Sequence, residues 1–319
     1  MCYSVTGFMY FEIQNKPELS WWDGIWWSFV TMTTVGYGDL FPESWGGRIF
    51  VAIPTMAIGI GLLGFILSIM ATSLIEDRSK MIRGLARIKM KNHIIICNYP
   101  SEAKLLELVG QIRSDEATRG ADIVLAADGL DELPNSLCKQ RVQFVRGDPA
   151  RTETLERACI DRARSALVLA CDPQDPHSDH TSLAILLTIE SIRREVFSAA
   201  ELIDGNNREF FERTGCDAIV CPSEFTARFL VQELLDPGVQ EVVSQLLSTD
   251  VGQQLFVLQA ADSLAGKRFS DLHAWAATHR AVLLGYLRAG STQLNPPPDT
   301  SLATGDRLVV IAASRPPCP

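Results

Sequence analysis

Residues 49–75 form a run of 27 consecutive positions without a charged side chain. A helix of this length extends about 40 Å at roughly 1.5 Å per residue, whereas the hydrocarbon core of a bilayer is about 30 Å thick. A helix in the core of a soluble protein can be apolar on every side, but rarely over so many residues. The run therefore predicts a membrane-spanning helix over residues 48–75.

Charge is unevenly divided along the chain. Residues 1–92 carry 8 Lys and Arg against 7 Asp and Glu, and residues 93–319 carry 21 against 31, which gives net charges of +1 and −10. Because an acidic domain repels phosphate backbones, we do not expect a nucleic-acid partner. The basic cluster in residues 76–93 marks the cytoplasmic side of the span. We therefore expect a multi-pass protein of the cell membrane, in a prokaryotic inner membrane, with its C-terminal two-thirds in the cytoplasm.

The eight cysteines are scattered and include no CxxC pair. This pattern fits a reducing cytosol and gives no zinc-ligand spacing. Cys97 and Cys171 lie in apolar, strand-like runs, where a cysteine usually behaves as a small hydrophobic residue. We therefore interpret both as packing residues.

The segment before the span contains the run TMTTVGYGD at residues 31–39. Gly36 and Gly38 alternate with larger residues, and glycine tolerates the backbone angles that aim successive carbonyl groups in one direction. A ring of such carbonyls from four copies could replace the water shell of a potassium ion. The run resembles the pore signature of potassium channels, which implies K⁺ as the permeant ion. The resemblance assigns the selectivity filter to Thr34, Val35, Gly36, Tyr37, Gly38 and Asp39.

A short helix is predicted ahead of this run. Ser20 is a candidate N-cap, and Asp23 lies in the first turn, where a carboxylate suits the positive end of the helix dipole. Under the resemblance, Trp26, Trp27 and Tyr37 would form an aromatic cuff around the filter. The alternative interpretation is a tight turn after a helix at the membrane surface, with the tryptophans as an interfacial belt.

The predicted span would then be the inner, pore-lining helix. Gly59 and Gly61 near its middle are candidates for a gating hinge, or they let neighbouring helices pack closely. Pro54 removes a backbone hydrogen bond and can bend the helix. A pore of this type also needs an outer helix before the filter. Residues 1–11 are too short to span a bilayer, so we expect the sequence to lack part of its N-terminal region.

From residue 92 onward, short apolar runs alternate with helical patterns. Candidate strands are residues 93–97, 122–127, 142–145, 166–170 and 218–220, and candidate helices are 101–112, 152–159, 180–192 and 207–214. Alternation of this kind predicts a parallel sheet with helices on both faces. Ligands of such folds bind at the carboxyl ends of the strands.

Three segments, HIIICNYPSEAKLLELV, FVRGDPARTETLERACI and GCDAIVCPSEFTARFLVQELLDPG, resemble the regulator of potassium conductance (RCK) domain. The likeness extends over residues 92–313 and includes a C-terminal lobe with LAGKRFSDL, LNPPPDTSL and GDRLVVIAA. It implies an α-helical membrane pore domain (1–75), a linker (76–91), a Rossmann-like α/β lobe (92–250) and a small α+β lobe (251–319). It also implies a homotetramer with an RCK gating ring, to which separate soluble copies started at Met81 or Met90 could contribute.

The first loop of this fold departs from the dinucleotide pattern G-x-G-x-x-G, because Asn98, Pro100 and Ala103 stand at the glycine positions. Asparagine can adopt the left-handed turn, but Pro100 has no N–H and brings its ring to where the phosphates would lie. Asp128, after the second strand, could hold a ribose hydroxyl or be an ordinary turn residue. For a site at Asn98 and Asp128, we therefore place another adenine nucleotide ahead of NAD.

Calcium is the rival ligand. Some RCK-gated channels bind it through an Asp after the fourth strand and two Glu on the fifth, and the resemblance places Asp179 and Glu201 at two of these positions. Ile203 stands at the third, with Asp204 adjacent, whereas Ca²⁺ takes roughly six to eight oxygen ligands. The other interpretation, which we favour, is an acid-rich helix start without a metal.

Two other functions fit parts of the sequence. A membrane-anchored, NAD-dependent oxidoreductase would use the Rossmann-like fold, but the phosphate loop is interrupted and no residue cluster suggests hydride chemistry. A regulatory subunit of a potassium transporter would have the RCK domain without residues 31–39 and the span. The sequence therefore predicts a potassium-selective channel gated by a cytosolic ligand, and not an enzyme.

Overall fold

A computed structural model of the chain describes residues 1–115, 117–248, 252–261 and 264–317, and of residues 73–79 it describes the backbone only. The chain divides into two units, Met1–Lys80 and Met81–Pro319. The first unit is helical, and the second contains two β-sheets.

Three helices begin in the first unit: α1 (Cys2–Glu12), α2 (Trp21–Met32) and α3 (Ile53–Ile82). The start of α2 confirms the predicted cap, because the Ser20 hydroxyl accepts from the Asp23 N–H and the Asp23 carboxylate accepts from the Ser20 N–H at 2.8 Å. This reciprocal capping satisfies two donors that would otherwise be unpaired. α1 packs against α2 through Phe8, whose ring stacks on Trp27 with the centroids 4.5 Å apart.

The start of α3 is shaped by Pro54. A π-helical turn, Gly47–Ala52, leads into the helix. Pro54 has no N–H to donate to the Phe50 carbonyl, and the Tyr3 hydroxyl of α1 donates to that carbonyl instead. The proline therefore alters the hydrogen bonding at the predicted position, and α1 supplies the missing donor.

The structure contains a long apolar helix where the sequence predicts the membrane span. Among the described residues, Gly47–Thr72 is long and apolar enough to cross a membrane, with a mean hydropathy of 2.3 and only 22% of its most apolar window buried. The helix does not end near residue 75 as predicted but continues to Ile82. No glycine or proline lies between Ile75 and Gly84, and the φ of +65° at Gly84 suits a helix end.

The second unit begins with six strands: β1 (Ile94–Cys97), β2 (Ile123–Ala127), β3 (Val142–Arg146), β4 (Ser165–Val168), β5 (Phe197–Glu201) and β6 (Ala218–Val220). They form one parallel sheet in the order β3-β2-β1-β4-β5-β6. Every residue of β1 and β2 is buried, as expected for strands covered on both faces. The sheet confirms the predicted parallel α/β fold.

Five helices connect these strands: α4 (Glu102–Ser114), α5 (Asn135–Lys139), α6 (Thr152–Arg157), α7 (Ser178–Ile192) and α8 (Arg208–Arg213). Alternate residues of β1 point to opposite faces, so Ile95 and Ile96 belong to two different hydrophobic cores. Helices therefore cover both faces of the sheet, and loops lie at the carboxyl ends of its strands, here called the carboxyl edge.

The two cysteines interpreted as packing residues differ in their surroundings. Cys97 is fully buried in β1, and burial raises the pKa of its thiol to about 12, which makes it an inert packing residue. Cys171 contradicts the interpretation. Because β4 ends at Val168, Cys171 lies exposed in the loop beyond the strand.

Two helices, α9 (Pro222–Leu235) and α10 (Val239–Leu247), lead to the C-terminal lobe. The lobe contains β7 (Gln254–Gln259), α11 (His273–Thr278), β8 (Val282–Arg288), β9 (Ser291–Leu294) and β10 (Arg307–Ala312). The strands form an antiparallel sheet in the order β7-β10-β8-β9, which confirms the small α+β lobe. Buried Asp306 accepts two hydrogen bonds from Arg288 at 2.8 and 2.7 Å, and this pairing lowers the pKa of its carboxyl.

Candidate functional site

The segment after α2 has an alternating backbone. Thr34, Gly36 and Gly38 have φ of +61°, +55° and +76°, whereas Val35 and Tyr37 between them do not have positive φ. A regular strand points successive carbonyls to opposite sides, and the alternation of left-handed residues breaks that pattern. Positive φ is costly for a β-branched residue, so Thr34 is strained, whereas the two glycines that the sequence singles out adopt it freely.

The predicted aromatic cuff involves one tryptophan of this chain rather than two. Trp26 stacks on Tyr37 with centroids 5.8 Å apart and rings 5° from parallel. Its indole Nε1 donates to Asp39 Oδ2 at 2.8 Å. Trp27, by contrast, is buried against Phe8 of α1. The Trp26 side chain thus braces the segment at two points.

The inner end of the segment is fixed to the end of α2. The backbone N–H groups of Val35 and Gly36 both donate to the Val30 carbonyl, at 3.0 and 3.3 Å. The Thr33 hydroxyl donates to the Phe29 carbonyl at 2.8 Å. Carbonyls at a helix end have no partner within the helix, and here the following segment supplies the donors.

A carboxylate that the sequence reasoning missed anchors the loop after the segment. Glu12, at the end of α1, is 1% exposed. Its oxygens accept from the Glu43 N–H at 3.0 Å and from the Ser44 N–H at 3.1 Å, and the Ser44 hydroxyl is a third donor. A lone acidic residue at the end of an apolar helix was the available signal, because a buried carboxylate needs donors.

The two candidate hinge glycines have different surroundings. A Cβ atom on Gly59 would lie 2.5 Å from the Cα and the carbonyl oxygen of Met32, at the end of α2. A Cβ atom on Gly61 would have no neighbour within 4 Å. Close packing therefore accounts for Gly59 without a hinge, and the hinge stays a prediction that Gly61 fits better.

The carboxyl edge of the parallel sheet contains the predicted ligand residues. β1 and β4 are adjacent in the sheet. The strand after β1 lies on one side of this pair and the strand after β4 lies on the other, so a crevice forms between the loops that follow β1 and β4. Asn98, directly after β1, has the expected left-handed backbone with φ of +74°. Its buried side-chain amide donates to the Leu169 carbonyl at 2.7 Å. Asp128 is exposed after β2, where it accepts from the Gly129 N–H at 2.9 Å.

Glu201 ends β5 at the same edge, and a lysine holds it. The Lys104 ammonium in the first turn of α4 lies 2.5 Å from Glu201 Oε1 and 2.7 Å from Oε2. The carboxylate also accepts from the Ala170 N–H at 3.1 Å. An acid closing an apolar strand was a signal for a partner, but the sequence did not indicate Lys104 as that partner.

Asp179 is fully buried at the start of α7. Its Oδ1 accepts from the Ile203 N–H at 2.9 Å, and its Oδ2 accepts from the Asp204 N–H at 3.0 Å and from the Asn207 amide at 2.8 Å. Both oxygens therefore hold the loop after β5. In the part of the chain that the structure describes, no three His, Cys, Asp or Glu side chains form a group suited to a metal ion.

The comparisons with known proteins agree with this geometry. Residues 1–76 match a family described as ion channel, and residues 89–207 match the calcium-activated potassium channel slowpoke-like RCK domain. Residues 223–316 match the Castor and Pollux family, described as part of a voltage-gated ion channel. The chain is therefore similar to an ion-channel domain over its N-terminal quarter and to an RCK domain after it.

Curated relatives align with this chain over most of their length. The calcium-gated potassium channel TvoK of Thermoplasma volcanium is 29% identical over 314 residues, which is 96% of this chain and 84% of the relative. Potassium channel protein 1 of Methanocaldococcus jannaschii is 24% identical over 285 residues, 87% of this chain and 81% of the relative. These likenesses identify a channel rather than an enzyme.

Among solved structures, the human SLO3 gating ring has a similar fold. The TM-score is 0.55 at 18% identity, with 70% of this chain and 44% of that chain covered. This chain therefore spans less than half the length of that protein. The likeness supports the RCK fold of the second unit.

Proposed function

We propose that four copies of this chain form a potassium-selective channel of the cell membrane, opened or closed by a ligand on the cytosolic RCK domain. The observation that carries the proposal is the alternating backbone of residues 34–38, between the braces of Trp26 and the end of α2. Carbonyl groups held in this way from four chains replace the hydration shell of K⁺.

The membrane part of the proposal rests on the outer surface of α3. Large apolar side chains along it are half or more exposed in a single chain, such as Phe65 at 64% and Leu67 at 64%. Lipid and the neighbouring subunits of a tetramer would cover them. The proposal includes a second membrane-crossing helix in each subunit, which a pore of this type needs.

The gating ring would be assembled through α9 and α10. These helices expose large apolar side chains that a second copy of the same chain would bury. The exposed set is Phe225, Leu230, Val231, Leu234, Leu235, Val242 and Leu247. Four chains supply four RCK domains, and soluble copies started at Met81 or Met90 would supply more.

Gating follows from linkage between the ligand and the ring. A ligand that binds one arrangement of the RCK domains more tightly than another shifts the equilibrium by its differential affinity. The proposed pore-lining helix α3 extends as one helix to Ile82, a few residues before the RCK domain begins. A rearrangement of the ring would therefore pull directly on the pore.

The ligand is proposed to bind at the carboxyl edge of the parallel sheet. The crevice between β1 and β4, with Asn98 and Asp128, supports an adenine nucleotide. Pro100 in the first loop has no N–H for the phosphates of a dinucleotide, so we place another adenine nucleotide ahead of NAD. Calcium is the ligand named for the Thermoplasma relative.

Single-channel recording tests the gating part. The purified full chain, confirmed as a tetramer by size, is reconstituted into a planar bilayer, and calcium, ADP, ATP and NAD are added in turn to the RCK side. We expect at least one of them to change the open probability of a potassium current. An unchanged open probability with all four, in channels that conduct, would contradict gating by these ligands.

A further inference from the structure

The Lys104–Glu201 pair occupies the position where the calcium prediction needs a free carboxylate. Glu201 is 8% exposed, and both of its oxygens are within hydrogen-bond distance of the Lys104 ammonium. The Ala170 N–H fills a further lone pair at 3.1 Å. A calcium ion binds carboxylate oxygens at about 2.3–2.6 Å, so it could reach Glu201 only by displacing the lysine.

The other members of the predicted calcium site do not compensate. Asp179 accepts three hydrogen bonds from the loop after β5, and it would lose them on turning toward a cation. Ile203 contributes a backbone N–H and no carboxylate. The donor set therefore does not fit Ca²⁺, which prefers roughly six to eight oxygen ligands.

The lysine also makes the connection that a cation would make. Lys104 belongs to the first turn of α4, after the loop that follows β1, whereas Glu201 ends β5, and β4 lies between these strands. The Asn98 amide adds a second link from β1 to the segment after β4. Groups of the chain itself thus join these elements at the carboxyl end of the sheet.

We propose that Lys104 is a tethered counter-ion, which replaces a divalent cation at Glu201 and joins α4 to the end of β5 without calcium. Calcium therefore does not act through Glu201 in this chain, although it acts on a relative that the chain resembles. The inference concerns the RCK domain alone, so its test does not depend on conduction through the pore.

Calcium binding to the purified full chain tests the proposal. Calorimetric titration with calcium chloride compares the unmodified chain with Glu201→Gln, Lys104→Met and the double variant Lys104→Met/Glu201→Gln. We expect the unmodified chain and Glu201→Gln to bind calcium equally. Lys104→Met leaves the buried Glu201 carboxylate without its counter-ion, so we expect a lower melting temperature than that of the unmodified chain. The double variant also removes the charge of Glu201, so it should recover part of this loss.

Two further variants make the result specific. Lys104→Arg keeps the positive charge and is expected to behave like the unmodified chain, while Arg83→Met removes an exposed partner of Glu132 and is expected to leave the melting temperature unchanged. A calcium signal that the unmodified chain shows and Glu201→Gln lacks would overturn the proposal, as would a folded Lys104→Met with an unchanged melting temperature. If Lys104→Met does not fold, the comparison of the unmodified chain with Glu201→Gln decides alone.

Discussion

Thr34 illustrates what single residues contribute beyond the motif. The sequence indicated positive φ at Gly36 and Gly38, because glycine is the residue that adopts it freely. It did not indicate positive φ at Thr34, where a β-branched side chain is strained. The residues on either side are held by hydrogen bonds, from the Thr33 hydroxyl to the Phe29 carbonyl and from the Val35 N–H to the Val30 carbonyl. These bonds hold Thr34 in a backbone conformation that threonine disfavours.

Glu12→Gln should weaken the loop that follows the filter. The amide group of glutamine turns one acceptor into a donor that faces the N–H groups of Glu43 and Ser44. We expect a loss of about 1–3 kcal/mol in the free energy of unfolding and a faster decline of current at low external K⁺. The melting temperature of the full chain and sustained recordings check this.

Glu18→Gln is the matched control, because Glu18 is exposed in the loop after α1. It should leave both the melting temperature and the current unchanged. Equal behaviour of Glu12→Gln and Glu18→Gln would show that the buried carboxylate does not support the loop.

His93 should make the RCK domain less stable in mild acid. The ring is fully buried, with Nε2 2.8 Å from the Ala158 carbonyl, and burial lowers its pKa below the ordinary 6.5. Below pH 6.5 this histidine becomes protonated in the unfolded chain but stays neutral in the folded domain. The free energy of unfolding therefore decreases as the pH is lowered. Melting temperatures between about pH 7.5 and pH 5.5 measure this loss.

His93→Asn should flatten that pH dependence, while replacement of exposed His273 by Asn should preserve it. The comparison is made on the slope rather than on the absolute melting temperature, since His93→Asn also removes a buried hydrogen bond. A slope unaffected by His93→Asn would assign the acid sensitivity to another group.

At the scale of elements, apolar patterning was sufficient for most of the parallel sheet. β1, β2, β3, β4 and β6 are each carried by a short apolar run, and they lie where the sequence predicts them. β5, with the sequence FSAAE, is too small and polar to be indicated by pattern alone. The extension of α3 to Ile82 was missed because charge marks a membrane boundary but does not end a helix.

Sites were less predictable than strands. The filter prediction needs only nine adjacent residues, since its chemistry would be carried by the backbone of one segment. Lys104 and Glu201 are 97 residues apart, and only the strand order brings them together. The calcium and nucleotide sites assigned to Asp179, Glu201, Asn98 and Asp128 stay predictions. Ligand binding by these residues depends on side chains that are distant in the sequence, which sequence patterns do not identify.

The glycines of α3 allow an element-scale prediction. Gly59→Ala places a methyl group against the Met32 backbone, which cannot move aside as a side chain would. We expect a destabilisation of about 1–3 kcal/mol from overpacking. Gly61→Ala meets open space and should gain up to about 1 kcal/mol in helix stability.

Melting temperatures of the two variants give the packing result, and open probability separates it from gating. Gly61→Ala should fold normally and reduce opening if Gly61 is the hinge. Normal folding of Gly59→Ala would contradict the packing assignment, and unaltered gating of Gly61→Ala would contradict the hinge.

At the scale of the whole molecule, one chain leaves large apolar surfaces without a cover. Leu234 on α9 is 81% exposed, which is costly for a side chain of this size unless a partner buries it. Leu234→Asp should therefore prevent ring assembly and lower the mass of the purified particle in light scattering. Leu294→Asp, on the exposed strand β9, is the control that should retain the full mass.

The reversal potential under unequal K⁺ and Na⁺ tests the central claim most directly. For the reconstituted tetramer, the account predicts a reversal close to the potassium equilibrium potential. It also predicts that Gly36→Ala abolishes this selectivity, because alanine is strained at φ of +55° although it meets no neighbour there. A current from an intact tetramer that reverses without preference for K⁺ would contradict the account.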